Sequence, residues 1–380
     1  MARRQPPRRF RRSPHLVMYW RGRWFFVHNY ATGRVATLPA AAAPVLQFFD
    51  GWSTAAAYAT NAGVSTTAAQ TAISQLLANE FLHSSTRRPS PNEEAMTRWD
   101  RWNPAAGFFH DATRDVRFVD PIEGGRALRQ KARTVPPPPP IKRYPRARTY
   151  DLPRVETSGE FPQVLLTRRT WRQFGKRPLP LASLAALLGY TGGVHKWART
   201  GSDERMPLKT SPSGGARHPI ELYVWARRVA GLPAGLYHYG SDRHQLERIR
   251  SPRARVGIER YLPSQPWYDG AAAIIFFSAV YERYLWKYTS ARAYRATLIE
   301  AGHQCQTFCL AATWLGLAPF CTMALADSNI EHDLGLDGIA ESVLYAAGVG
   351  VRPSGADVQS MPAGSPPMRV QANRRVFKPC

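Results

Sequence analysis

The 380-residue sequence holds only four cysteines and no apolar run long enough to cross a bilayer. Four thiols in a chain of this length do not make a disulfide framework. A spanning helix needs about 18–20 apolar residues, and the longest run, Ala271–Val280, has the length of a buried strand. No CxxC pair occurs either. Cys305 and Cys309 lie four apart on an expected helix, Cys321 follows beyond it, and Cys380 ends the chain. Soft-metal ligation by Cys305, Cys309 and His303 lacks a supporting pair. The expectation is therefore small thiols packing a crowded helix, and no metal site. Acidic residues are also scarce: 27 Asp and Glu stand against 51 Lys and Arg, a formal net charge of +24. That excess attracts polyanions. Much of it lies in the first dozen residues, in the stretch Arg126–Arg148 and in the tail, which reads as solubility rather than specific nucleic-acid recognition. The arginine-dense start lacks the apolar stretch of a secretory signal, so a cytoplasmic protein is expected.

What is present is pattern. An apolar fraction of 44% supports a sizeable core, and the length allows two domains with extensions. Residues 1–14 read as a basic disordered tail. Within a module at 15–88, His15–Trp20 and Trp24–Tyr30 are β-rich runs joined by the turn Arg21-Gly22-Arg23, and a third strand ends at Leu38. Helices are expected near Ala40–Phe49, Ser53–Ala62 and Thr66–Phe81, with Ser53 and Ser65 as N-caps. In the last of these Ala69, Ile73, Leu76 and Leu77 form one apolar stripe. Strands followed by three short helices resemble the winged-helix or peptide-clamp modules that grip precursor peptides. A helical packing domain without a ligand is the plainer alternative. Residues 89–150 show no clear element and read as a Pro-rich linker, with Pro136–Pro140 an extended spacer. Residues 354–380 read as a disordered tail.

Between these lies a domain at 151–353. A helix over Pro180–Tyr190 ends at Gly192-Gly193. Ile220, Leu222 and Val224 alternate with Glu221, Tyr223 and Trp225 as a strand, and short strands follow at Gly235–Tyr239 and Gln245–Ile249. Ala271–Val280 and Ser342–Gly348 read as buried strands, and Leu298–Leu315 as a long helix stopped by Gly316. The spacing predicts an α+β fold.

Two clusters carry chemistry. In Arg168-Arg169-Thr170-Trp171-Arg172, three guanidiniums within five residues can form forked bonds to a phosphate. A basic surface turn has the same look. In Pro212-Ser213-Gly214-Gly215-Ala216-Arg217-His218-Pro219, the glycines let backbone pass close to a flat ligand. A Ser-Gly-Gly turn alone is commonplace.

Their order and surroundings resemble the nitroreductase-like flavoenzymes, and among them the SagB-type branch that includes azoline dehydrogenases. Thr167–Arg172 is similar to the family's opening Arg-Arg-Ser-x-Arg signature. SPSGGARHPIELY at Ser211–Tyr223 is similar to its Pro-Ser-x-Gly-x-x-His-Pro-x-Glu-x-Tyr segment, and Gly235–Tyr239 to the strand after it. RYLWKYTSARAYR at Arg283–Arg295 resembles the branch's Lys-Tyr segment. The helix from Glu300 and Gly348–Pro353 complete about 200 residues of likeness. Thr170 stands where a serine is usual, and Thr307 where an asparagine commonly follows Gln306.

The resemblance implies a nitroreductase-like homodimer with FMN at the subunit interface. It implies that Arg168, Arg172 and Arg352, with Arg169 and Thr170, hold the phosphate and ribityl end. Pro212, Ser213, Gly214 and Gly215 would line the ring, and Gln306, Gly348 and Gly350 would complete the cofactor site. Small residues at Gly302, Cys305, Cys309 and Ala312 would allow close helix packing across a two-fold axis. Lys287 and Tyr288 match the branch's catalytic pair, and either could be the base that azoline oxidation requires. The implied function is oxidation of thiazoline or oxazoline in a peptide or carrier-bound substrate supplied by a cyclodehydratase partner. A nitro, quinone or flavin reductase using NAD(P)H is one alternative. A leader-peptide- or DNA-binding protein with a vestigial flavin domain is the other.

Overall fold

The computed structural model describes residues 7–142, 151–155, 157–199, 205–250 and 256–354. The start of the basic tail, the end of the linker, Cys380 and the tail beyond 354 lie outside the described residues. The chain divides into two compact units.

One unit combines Met1–Arg114 with Tyr281–Thr297 and Ile339–Glu341. Leu16–Arg21, Trp24–Asn29 and Arg34–Leu38 form an antiparallel meander, with left-handed Gly22 in the first turn. Arg9–Arg12, expected to be disordered, is instead a strand between Ser53–Thr54 and Leu82–Ser84. Phe10 is the reason: it is buried in a core with Val27, Leu46, Phe49 and Phe81, which anchors the arginines around it. Helices Ala42–Phe48, Ala55–Ala62 and Thr66–Ala78 follow, the last capped by Ser65 as expected. The second is capped by Thr54, whose hydroxyl accepts from Ala57 N at 3.1 Å, and not by Ser53, which is held in the sheet beside Phe10.

Residues 86–142 are not featureless. They hold helices Pro91–Met96, Ala105–Thr113 and Pro121–Thr134, with a 3-10 helix at Thr97–Trp102. Ser90 and Asp120 accept from the first turns of the helices they precede, and each is followed by a proline suited to the first helical position. These start signals precede very short or strongly charged helices, which show no apolar period. Pro136–Pro140 carries neither helix nor strand and is exposed.

The second unit is an α+β fold around a six-stranded sheet. Its strand order is Gln245–Arg250, Gly235–Gly240, Ile220–Ala226, Ala273–Val280, Glu341–Val351, Leu317–Thr322. Ala273–Phe277 have no exposed surface, as expected for a strand covered on both faces. Tyr223, Trp225, Tyr261, Ile274, Phe276 and Phe320 are among the buried side chains of one core cluster. Helix Leu181–Gly192 lies where the leucine-rich run predicts one. The long helix runs Arg292–Trp314, six residues earlier than expected, because Ser290 accepts from Arg292 N and starts it.

On this sheet His238 sits between Glu221, 3.1 Å from its Nε2, and Glu247, 2.8 Å from its Nδ1. The hydrogen bond to Glu221, reinforced by Glu247, pushes the imidazole up to about 9. A raised folded-state value stabilises fully below the unfolded value of 6.5, and the contribution disappears as pH rises through about 9. In urea unfolding, the stability difference between wild type and His238→Gln should therefore shrink from pH 6.5 to 9.5. A difference constant over that range would show that the imidazolium is not paired.

Candidate active site

In the second unit, the chain enters the strand Ile220–Ala226 through the Ser211–Pro219 turn. Gly215, Ala216 and His218 all have left-handed backbone, with φ of 58°, 53° and 43°. Two of these are not glycine, so the turn stores strain that its surroundings must hold. They do so with hydrogen bonds. Ser213 Oγ accepts from His218 N at 2.8 Å, and Gly214 N donates to Glu300 Oε1 at 2.8 Å. The Ser211 and Thr307 hydroxyls meet at 3.0 Å, and Thr307 also donates to the His303 carbonyl. Thr307 thus spends its hydroxyl fastening the turn to the long helix.

Glu300 and Gln304, one helical turn apart, were not among the expected site residues. Both are buried, at 4% and 2% exposure, whereas the expected Gln306 is exposed. Burial pushes the Glu300 carboxyl above its ordinary value. Gln304 Oε1 is buried with no partner among the described residues. An acid at Glu300 followed by an amide at the i+4 position was the available signal.

The arginine cluster divides its labour. Arg168 ends the helix Glu160–Thr167, is half-buried, and its guanidinium makes no hydrogen bond or ion pair among the described residues. Such a cation suits an anion supplied from outside the chain. Arg169 instead donates to the carbonyls of Leu166 and Arg168 at 2.9 and 2.8 Å, closing that helix. Trp171 N hooks onto the Pro319 carbonyl of the edge strand at 2.9 Å. Arg352 lies over the Trp171 ring and donates to the Leu317 and Thr313 carbonyls. Thr170 and Arg172 are half-buried beside Trp171. Two expected site glycines serve packing. A Cβ at Gly348 would enter the Phe320 ring, which stacks on Tyr268, and one at Gly350 would meet Phe174 at 2.7 Å. Cys305, Cys309 and Ala312 are buried while Gly302 is exposed, so these small residues do not form one outward face. Cys305, Cys309 and Ala312 face the unit's own interior, where close packing needs them.

Lys287 and Tyr288 belong to the first unit. They follow the short helix Glu282–Leu285, with Lys287 exposed and its Nζ 5.6 Å from the centroid of the Tyr288 ring. An aromatic cluster fixes the segment. Trp99 meets Tyr281 at 4.7 Å, and Tyr281 stacks on Tyr294 at 5.6 Å. Trp102 Nε1 donates to the Tyr288 carbonyl at 3.0 Å, and the His110 ring bonds Tyr294 OH at 2.9 Å. The candidate base pair is therefore carried by residues of the N-terminal region.

The sheet is thus entered through a strained Ser-Gly-Gly turn pinned to the long helix by a buried acid. The nitroreductase family profile matches residues 165–351. The protein MJ1384 of Methanocaldococcus jannaschii, named a nitroreductase, is 35% identical over 185 residues, covering 48% of this chain and 87% of that one. The chain belongs to the nitroreductase family. The trifolitoxin-processing protein TfxB of Rhizobium leguminosarum bv. trifolii is 37% identical over 187 residues, covering 45% of this chain and 48% of TfxB. The chain thus spans about half the length of TfxB. One similar solved structure is from the E. coli microcin synthetase McbBCD complex with truncated pro-MccB17 bound. It has a TM-score of 0.45 and 18% identity over 71% of this chain and 100% of that one.

If Glu300 holds the turn, Glu300→Ala should release it. A hydrogen bond to a carboxylate contributes about 1.5–3 kcal/mol, so amide exchange at Gly214 should accelerate by roughly 10- to 100-fold. Unchanged exchange would mean that the turn keeps its shape without the helix.

Proposed function

We propose that the protein is an FMN-dependent dehydrogenase that oxidises thiazoline or oxazoline rings of a peptide natural product to thiazole or oxazole. The observation that carries this reading is that Lys287–Tyr288 is built into the same compact unit as the N-terminal module. A reductase exchanging hydride with NAD(P)H needs no protein base on a substrate-gripping module. Ring oxidation does: one ring carbon loses a proton while its neighbour loses a hydride. Bound FMN would accept the hydride and pass its electrons on to oxygen. Lys287 or Tyr288 takes the proton, the two side chains lying together with Lys287 Nζ 5.6 Å from the centroid of the Tyr288 ring.

Arg168 and Arg172 would hold the phosphate of the cofactor, and the Ser213–Gly215 backbone would line its ring. The N-terminal module would hold the peptide. TfxB, named for trifolitoxin processing, supports a peptide substrate. A cyclodehydratase partner would supply it, since an azoline forms by closing a Cys, Ser or Thr side chain onto a backbone carbonyl. The exposed residues Leu298, Ile299, Gly302, Gln306 and Trp314 of the long helix offer a homodimer face. The nitroreductase name of MJ1384 favours the rival small-molecule reductase.

Purified protein should be yellow, and Arg168→Ala with Arg172→Ala should weaken flavin binding by about 1.5–3 kcal/mol for each charge-assisted bond lost. Lys287→Ala and Tyr288→Phe should keep the flavin, yet oxidise a thiazoline substrate about 100-fold or more slowly, as expected for a lost general base. Wild-type rates in both variants, with chemistry limiting turnover, would remove the pair from the mechanism. NAD(P)H-driven nitro reduction without azoline oxidation would establish the rival.

A further inference from the structure

Cys305 and Cys309, one turn apart on the long helix, point to the same side, and the fold brings a third thiol to meet them. Cys321 lies on the edge strand Leu317–Thr322, paired with Ala347 of Glu341–Val351. The three sulfurs all lie within 4.8 Å of one another. Sequence spacing did not reveal this, because the strand that delivers Cys321 doubles back after Gly316 and its approach depends on tertiary packing.

Three sulfurs held at ~2.3 Å around one ion in a plane stand about 4 Å apart. The observed separations, none greater than 4.8 Å, are of that size. Cys305 and Cys309 are 2% and 3% exposed, while Cys321 is half-buried and leaves one side accessible for entry. Among the described residues no histidine, carboxylate or further cysteine joins the group. Zinc ordinarily requires four ligands, and an iron–sulfur cluster would hold its cysteines farther apart. A soft d10 ion content with three sulfurs fits the geometry.

We propose that Cys305, Cys309 and Cys321 form a three-thiolate site for copper(I). The thiols release their protons to solvent as the ion binds. Arg168 lies within electrostatic reach of Cys309 and Cys321. The bound ion would tie the long helix to the edge strand, so it should raise the thermal midpoint as any ligand specific to the folded state does.

The test uses the full-length protein as purified, kept under reductant without oxygen and titrated with copper(I) against a chromophoric chelator. Wild type and Cys380→Ser should each bind one copper per chain, with a raised thermal midpoint. Cys305→Ala and Cys321→Ala should bind more than about 100-fold more weakly, since even outer-shell changes cost 10–100-fold. X-ray absorption at the copper edge of wild type should show three sulfur neighbours, and it decides the matter if a variant does not fold. Several results would overturn the site: no binding, binding unaffected by Cys321→Ala, nitrogen or oxygen neighbours, displacement by equimolar zinc, or a disulfide among the three in reduced protein.

Discussion

The first unit depends on one buried tryptophan. Trp99 lies within ring contact of Trp102, His110, Tyr281 and Tyr294, residues drawn from two stretches of chain far apart in sequence. Its indole N–H reaches the Ile339 carbonyl at 3.2 Å, so a third stretch is gathered as well. Truncating a buried tryptophan costs ~3–5 kcal/mol, a large part of the ~5–15 kcal/mol by which a domain is stable. With the Trp102 and His110 hydrogen bonds to Tyr288 and Tyr294, that contact holds Tyr281–Thr297, and the Lys287–Tyr288 pair with it, against the N-terminal region.

The second unit shows how much of a ligand-like motif is structural support. Of the arginines expected around a phosphate, Arg169 and Arg352 are engaged by backbone carbonyls, while the half-buried Arg168 guanidinium has no hydrogen bond or ion pair among the described residues. Gly348 and Gly350 make room for Phe320 and Phe174. The Ser-Gly-Gly turn is shaped from behind by Glu300 and Thr307, which hold its strained backbone ready. Pre-shaping of this kind lowers the ordering cost of any ligand that docks on such a turn.

Much of this was legible because it rests on local periodicity. Alternation marked Ile220–Ala226, and a continuous apolar run marked Ala273–Val280. The early helices of the first unit appeared within a few residues of their expected bounds. What escaped depends on long-range partners. Arg9–Arg12 is mostly arginine, and only burial of Phe10 makes it a strand. The side to which Cys305, Cys309 and Ala312 face is set by the packed sheet, since small residues fit an inner face and an outer one equally well. Glu300 looked like the start of a motif, although its burial beneath the turn makes it a supporting residue.

The interleaving of the two units also sets a timetable for synthesis. Residues through Arg114 leave the ribosome well before Tyr281–Thr297, which complete their core. About 170 residues separate the two, and at ~5–20 residues per second the wait is roughly 10–30 s. For that interval the indoles of Trp99 and Trp102 have no tyrosines to close over them. The nascent N-terminal region is then the part of this protein most in need of a chaperone, and a gene split anywhere between the two stretches would leave each fragment with an open aromatic seam.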